Sequence, residues 1–274
     1  MTDDVADAHP RVVAAFFDVD NTVVRGASSY HLARGLYRRQ FVSTKDLIQG
    51  AIHQARYQAF GENNKQNDQI RQKALSIMAG RTVADVVSVA QEVYDQVLNL
   101  RIFPGTKKLI DEHLAQGHQV WLVTAAPVEM GGLIARRIGA TGCLGTVAEH
   151  QDGFYTGRLD GPFMHGPAKA QAVTELAQAK GIDLDASYAY GDSLNDLYMM
   201  KTVGHPCPIN PDRRLRIFAR DAGWPIREFR GRGHRRRNRS LHTASVAGAA
   251  WAVGIIARTV RKRLAARIAG AGSK

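Results

Sequence analysis

Short apolar runs alternate with stretches of helical periodicity along most of this chain. Residues 12–17 are apolar and rich in β-branched and aromatic side chains, and residues 119–124 and 187–190 follow the same pattern. Such runs predict buried strands, and a further strand is predicted near Val203. Apolar residues recur at helical spacing in five stretches: 82–98, 104–115, 128–138, 168–180 and 212–222. This alternation predicts an α/β fold with a doubly wound parallel sheet.

The segment between the first two strands is too long for a plain crossover and has helical character. We therefore expect a helical domain inserted over the end of the first strand. Residues 143–161 are predicted as strands, with turns at Asp152-Gly153 and Thr156-Gly157, and a short strand is expected at 224–226. The predicted domains are a core of residues 11–26 and 101–226, a helical cap of residues 27–100, and a tail of residues 227–274.

The net charge of +12 belongs to the tail. Residues 227–274 contain 13 Lys and Arg and one acid, Glu228, so the other 226 residues carry no net charge. The two cysteines, Cys143 and Cys207, provide no disulfide framework and fit a reducing compartment. The first residues lack the basic-then-apolar pattern of a signal peptide. Together these features predict a cytoplasmic protein.

The tail carries a second hypothesis about function. A basic, low-complexity segment at 230–239 precedes a mostly apolar segment at 244–257, and more Arg and Lys follow. The apolar segment is too short to span a membrane, but an anionic membrane surface could bind residues 230–267. A solvated tail, or a helix that docks on a partner protein, is the alternative. Nucleic acid is the weaker expectation, because no known binding motif accompanies the arginines.

Two aspartates one residue apart, Asp18 and Asp20, directly follow the first predicted strand. Open α/β sheets bind ligands at the carboxyl ends of their strands. Two carboxylates at such a strand end repel each other and are costly to bury, and Mg²⁺ is a cation that oxygen ligands of this kind hold. The alternative is a solvated acidic turn with Asn21 as its turn residue.

Three other strand ends or helix starts carry matching polar groups. Thr124 ends the second predicted strand and, with the amides of Ala125-Ala126, forms a candidate phosphate cradle. Lys169 begins a helix, where its ammonium could neutralise an anionic ligand. The segment 191–196, Gly-Asp-Ser-Leu-Asn-Asp, follows a strand and adds two carboxylates and a carboxamide. Taken singly, these are a helix cap, a solvated charge and a turn, but their joint occurrence in this order favours a catalytic site.

These four segments resemble the four motifs of the haloacid dehalogenase superfamily. The resemblance covers about residues 11–226, and the insert between the first two motifs is similar to that of the phosphoserine-phosphatase-like branch. It implies a Rossmann-like core with a helical cap. The segment Asn210-Pro211-Asp212 and the later Gly223-Trp224-Pro225 also resemble one group of bacterial hydrolases in that branch.

The resemblance implies a role for each acidic residue. Asp18 is expected to be the nucleophile that forms an aspartyl-phosphate, and Asp20 the general acid and base. The expected cofactor is Mg²⁺, held by Asp18, the backbone carbonyl of Asp20 and Asp192, with Asp196 close by. Thr124, Lys169 and Asn195 are expected to bind the phosphoryl group of the substrate.

The acid at position 20 also bears on the reaction class, because the dehalogenase members of the superfamily lack it. A small phosphomonoester is therefore the expected substrate, either phosphoserine-like or a phospholipid headgroup. The arginines and Glu62 of the insert do not follow the spacing that phosphoserine phosphatases use for the amine and carboxylate. The alternative is a membrane- or partner-binding protein in which the tail dominates and the phosphatase core is secondary.

Overall fold

The computed structural model describes residues 12–41 and 78–230. In chain order the elements are β1 (Ala14–Asp18), α1 (Ser28–Arg38), α2 (Val83–Val93), α3 (Pro104–Ala115), β2 (Gln119–Pro127), α4 (Val128–Ile138), β3 (Gly142–Thr146), β4 (Ala148–Gln151), β5 (Phe154–Leu159), α5 (Pro167–Lys180), β6 (Tyr188–Tyr190), α6 (Leu197–Met200), β7 (His205–Pro206) and α7 (Arg213–Asp221). A π-helical turn (Tyr94–Leu98) and a 3-10 turn (Asn99–Arg101) follow α2. Another 3-10 turn (Leu194–Asp196) precedes α6.

Five strands form a parallel sheet in the order β3-β2-β1-β6-β7, which confirms the predicted fold class. The chain builds one side of the sheet from β1 to β3 and then returns to the other side of β1 with β6. Strand order therefore reverses beside β1, and ligands of open α/β sheets bind at such a reversal. In register, Asp18 lies opposite Val123 of β2, and Phe17 lies opposite Tyr190 of β6.

The central strand is fully enclosed. Residues 14–17 of β1 have no exposed surface, as expected for an apolar strand of a parallel sheet that helices cover on both faces. Phe16 packs in a core with Val173 of α5, Met199 of α6 and Leu215 of α7. This packing holds β1 in place, and Asp18, the last residue of the strand, is buried at its carboxyl end.

Two predicted details of the strands are wrong. Thr156 and Gly157 lie inside β5, so the hairpin has a single turn at Asp152-Gly153, where both residues have positive φ, 51° and 81°. That geometry suits a two-residue hairpin turn. Residues 224–226 form no strand. Instead Arg227 makes an isolated parallel bridge to Ile209.

The described residues fall into two compact units. The first, of residues 12–32, 84–148 and 159–230, contains the parallel sheet. The second, of residues 33–41, 78–83 and 149–158, contains most of the β4–β5 hairpin. In that unit Tyr155 accepts a hydrogen bond from the amide of Gly80 (2.8 Å) and donates one to the carbonyl of Arg81 (2.9 Å). Residues 80–83 thus pair with the hairpin alongside β5.

Residues 42–77, about half of the predicted cap, lie outside the described residues, so the domain boundaries stay a prediction. The same holds for the tail from residue 231 onward, including the predicted membrane-surface segment, which no described residue supports. Among the helices of residues 12–41 and 78–230, none combines the length and apolar character that a membrane span needs.

Candidate active site

The loop after β1 is held by its own backbone. The amides of Val23 and Val24 both donate to the carbonyl of Val19, each at 2.9 Å. Asn21 adopts a φ of 61° and its side chain accepts a hydrogen bond from the amide of Gly26 at 3.0 Å. Asn tolerates this left-handed conformation better than most residues. The loop therefore keeps Asp18, a buried residue, at the sheet edge.

Lys169 joins two buried carboxylates. It lies in the first turn of α5, and its Nζ is 2.6 Å from Oδ1 of Asp18 and 2.7 Å from Oδ1 of Asp196. The lysine side chain is 3% exposed and the two carboxylates are 9% and 2% exposed. An ammonium so enclosed is stabilised only by its partners, since burial without pairing would be costly. The structure thus brings together three residues from separate predicted motifs.

The second oxygen of Asp196 organises the loop after β6. Oδ2 accepts hydrogen bonds from the amides of Asp192 and Ser193 and from the Ser193 hydroxyl, each at 3.2 Å. The aspartate can approach this closely because residue 191 is glycine: a Cβ there would lie only 2.4 Å from Cβ of Asp196. Asp196 therefore links Lys169 to the loop that carries Asp192.

Carboxylate oxygens of Asp18, Asp192 and Asp196 lie within 4.8 Å of one another. Three hard oxygen donors at this separation, in a buried cluster, are the donor set that Mg²⁺ prefers. The residues present therefore fit the predicted cofactor. Asp20 was predicted to bind the metal through its backbone carbonyl, and that contact stays a prediction.

Burial dominates the ionisation of the cluster. It raises the pKa of Asp18 to about 7, with the charge of Asp196 adding to the effect and Lys169 opposing it. Burial, together with the charges of Asp18 and Asp196, also raises the pKa of Asp192 well above its ordinary value. For Lys169, burial alone would lower the pKa, but the two carboxylates raise it on balance. A bound divalent cation would favour the ionised carboxylates.

The raised pKa predicts how pH affects stability without metal. Between pH 3.8, the ordinary pKa of Asp, and about pH 7, the unfolded chain has released the Asp18 proton while the folded protein retains it. The contribution of Asp18 to the stability of the fold therefore falls as pH rises through this window. Asn carries no such proton. We expect Asp18→Asn, melted with a chelator, to exceed the melting temperature of the wild type by more at about pH 8 than at about pH 5. An equal difference in melting temperature at both pH values would contradict a raised pKa of Asp18.

Asp20 contacts the start of α1. Its Oδ1 accepts hydrogen bonds from the amide and the hydroxyl of Ser28, at 2.8 Å and 2.6 Å. Burial raises the pKa of Asp20, and the two bonds from Ser28 oppose that rise. Ser28 has no exposed surface. Ser28 was not predicted at the site; its only signal was a serine near the start of the predicted helical cap, which ordinarily indicates a helix cap.

Thr124 is one residue beyond Val123, the register partner of Asp18, and it is 1% exposed. Its hydroxyl oxygen accepts the amide hydrogen of Ala126 at 3.1 Å, so that amide is not free for phosphate as predicted. The hydroxyl hydrogen of Thr124 remains a potential donor. Strand β2 also runs on to Pro127, and α4 begins only at Val128.

Asn195 is exposed, unlike the buried residues of the carboxylate cluster. It occupies the middle of the Leu194–Asp196 turn and is exposed, whereas the next residue, Asp196, is buried. The predicted contact of Asn195 with a phosphoryl group therefore stays a prediction.

Comparison with known proteins gives consistent matches. The family model for haloacid dehalogenase-like hydrolases matches residues 15–201. The chain is 48% identical over 219 residues to "Phosphoserine phosphatase SerB1" of Mycobacterium tuberculosis, which covers 79% of this chain and 71% of the relative. A crystal structure of a protein of unknown function from Bordetella pertussis is 26% identical, with a TM-score of 0.68, over 80% of this chain and all of that one. A phosphoserine phosphatase structure, at 20% identity and a TM-score of 0.55 over 80% of this chain and 94% of that one, shares the fold.

Proposed function

The chain belongs to the haloacid dehalogenase-like hydrolase family, as its four motifs predict, and we propose that it is a Mg²⁺-dependent phosphomonoester hydrolase that acts through an aspartyl-phosphate. One observation carries this proposal: Lys169 bridges Asp18 and Asp196 in a buried pocket of carboxylates that also includes Asp192. A purely structural ion pair would not require a third carboxylate, that of Asp192, beside the two that contact the ammonium.

Asp18, Asp192 and Asp196 are the candidate ligands for Mg²⁺, with the backbone carbonyl of Asp20 as a fourth. When bound, the cation would supply charge for the phosphoryl oxygens and offset the repulsion among the carboxylates. Oxygen ligands and a buried position support this choice of metal over softer ions.

In the proposed first step, a carboxylate oxygen of Asp18 attacks phosphorus in line with the ester oxygen. The bond from phosphorus to the ester oxygen breaks, and Asp20 donates its proton to the departing alcohol. The raised pKa of Asp20 favours the protonated form that this step needs. Lys169 would neutralise charge on the phosphoryl oxygens, and Thr124 and Asn195 would donate hydrogen bonds to them.

In the second step, the same Asp20, now ionised, removes a proton from water. The water oxygen attacks phosphorus, the bond to Asp18 breaks, and inorganic phosphate leaves. Each group thereby returns to its starting state. The hydrogen bonds from Ser28 to Asp20 suit this double role, because they hold one carboxylate oxygen and leave the other to exchange the proton.

The Ser28 contact gives a direct prediction for turnover. Ser28→Ala removes the hydroxyl donor to Asp20 and should lower kcat by about 10- to 100-fold, since one such bond to a charged group is worth about 1.5–3 kcal/mol. It should also raise the pH at which kcat reaches half its maximum, because Asp20 loses a bond that lowers its pKa. Ser29→Ala, at an exposed neighbour, is the control. An unshifted pH profile for Ser28→Ala would contradict the contact's role.

For the substrate we propose a small phosphorylated metabolite of the phosphoserine or phospholipid-headgroup type. The name of the Mycobacterium tuberculosis relative supports phosphoserine as the first compound to test. The experiment is phosphate release from phosphoserine, phosphoethanolamine, phosphocholine and lysophosphatidate, each with Mg²⁺ and with a chelator. We expect release from at least one ester, and only with the metal. Release that is equally fast in chelator, or from none of them, would contradict the proposal.

A further inference from the structure

A short segment beyond the predicted core, residues 227–230, forms backbone hydrogen bonds with residues 208–210. The amide of Arg227 donates to the carbonyl of Pro208 at 2.9 Å, and the amide of Asn210 donates to the carbonyl of Arg227 at 2.9 Å. Downstream, the ring of Phe229 lies on α3 so closely that a Cβ on Gly105 would be 2.2 Å from it. We name residues 227–230 the strap.

Asn210 connects the strap to the loop of Asp18 and Asp20. Its Oδ1 accepts the amides of Phe229 and Arg230 at 2.7 Å and 3.1 Å. Its Nδ2 donates to the carbonyl of Asn21 at 3.2 Å. Asn210 has no exposed surface and a φ of 49°, so its geometry is set by the surrounding fold. The strap is therefore placed by the same residues that shape the catalytic loop.

This placement brings a second cation to the carboxylates. An Nη of Arg230 is 3.9 Å from Oδ2 of Asp192, with the two side chains 28% and 15% exposed. That distance is an ion pair and too long for a hydrogen bond. The charge of Arg230 lowers the pKa of Asp192 against the effects of burial and of its acidic neighbours. The guanidinium thus stands at the partly open side of the cluster with most of its donors uncommitted to Asp192.

The proposed reaction brings an anionic substrate to which the guanidinium of Arg230 could bind. Of the four carboxylates of Asp18, Asp20, Asp192 and Asp196, those of Asp18 and Asp196 contact the ammonium of Lys169, and the reaction adds an anionic substrate. Arginine presents several N–H groups in a planar fork that matches the oxygens of phosphate and carboxylate. Once Asp192 binds a divalent cation, its charge is neutralised and its attraction for Arg230 weakens.

We propose that Arg230 is a substrate-binding residue: it pairs with Asp192 when no cation is bound there and binds an anionic oxygen of the substrate when Asp192 holds the cation. The inference rests on the proposed function. The anionic oxygen belongs either to the phosphoryl group or to a carboxylate on the leaving alcohol. Both sources offer the same chemistry to a guanidinium, and the experiment separates them.

The test compares Arg230→Gln and Arg230→Lys with the wild type and with Arg214→Gln, which removes an exposed arginine of α7. Calorimetry measures binding of inorganic phosphate in Mg²⁺, and of Mg²⁺ alone. Kinetics measure KM for phosphoserine and for phosphoethanolamine, which differ only by the carboxylate. We expect Arg230→Gln to weaken anion binding by about 10- to 100-fold, the value of one hydrogen bond between charged groups. Arg230→Lys should recover part of it, and Arg214→Gln should change nothing.

The two sources give different patterns. Weaker phosphate binding, with KM raised for both esters, places the contact at the phosphoryl group. Unchanged phosphate binding, with KM raised for phosphoserine alone, places it at the carboxylate. If phosphate binding and both KM values stay unchanged while only Mg²⁺ affinity moves, Arg230 merely balances Asp192 and the inference is wrong. If the wild type binds phosphate but hydrolyses no ester, the proposed function is wrong. Weaker phosphate binding by Arg230→Gln would then still support an anion-binding role of Arg230, and unchanged phosphate binding would contradict it.

Discussion

Replacing Asp18 by Asn is expected to lower phosphate release by at least about 10⁴-fold, the size of loss typical when a covalent nucleophile is removed. An amide cannot form the acyl-phosphate, and Asp18 is the one carboxylate that β1 itself carries. The fold should survive, because Asn keeps the shape of Asp18 and removes a charge that burial disfavours. Steady-state phosphate release under saturating Mg²⁺ is the measurement.

The matched control for this substitution is Asp160→Asn, which removes the charge of an exposed aspartate in the same unit. It should retain wild-type turnover. If Asp18→Asn hydrolysed the best ester within about 10-fold of the wild-type rate, a direct attack by water would be the better mechanism. The melting temperature in chelator separates a catalytic loss from a folding defect, since Asp18→Asn is expected to be at least as stable as the wild type.

Replacing Lys169 by Met should lower both stability and turnover. The substitution keeps the length of the side chain but leaves Asp18 and Asp196 buried without the ammonium that contacts both at 2.6 Å and 2.7 Å. Removal of one partner from a buried ion pair costs about 3–5 kcal/mol. For a unit of this size the melting temperature in chelator should fall by roughly 10 °C.

Magnesium distinguishes the two effects of this substitution. A divalent cation can neutralise Asp18 and Asp196 in place of the ammonium, so Mg²⁺ should restore much of the lost stability of Lys169→Met. Turnover should stay low, because the phosphoryl oxygens still lack the lysine. Lys180→Met, at the exposed end of the same helix, is the control. A melting temperature unchanged in chelator would show that the ion pairs contribute little.

Sequence patterns were sufficient for the elements that carry the acidic cluster. The apolar run before Asp18 forms the predicted buried strand. Helices α3 and α4 begin and end at the predicted residues. Their periodicity is strong, and Pro104 and Gly139 punctuate the ends. Lys169 was identified because it begins a predicted helix and occurs in order with the other three motifs.

Long-range contacts were not predictable in this way. The bond from Asn210 to Asn21 spans 189 residues, and nothing in the sequence near either residue indicates the other. Arg230 was assigned to a basic tail because its neighbours in sequence are arginines and glycines, whereas its position depends on Asn210 and Gly105. Ser28 was missed for a different reason: its carboxylate partner, eight residues away, lies on the preceding loop, whereas a serine at a helix start ordinarily caps its own helix.

Trapping the phosphorylated enzyme tests the central claim most directly. The protein is mixed with its best ester and Mg²⁺, quenched in acid and reduced with borohydride, which converts an aspartyl-phosphate to homoserine, and the peptide containing residue 18 is analysed by mass spectrometry. We predict homoserine at position 18, present with ester and Mg²⁺ and absent with chelator or in Asp18→Asn. Continued turnover with an unmodified Asp18, or modification at another carboxylate, would contradict the mechanism.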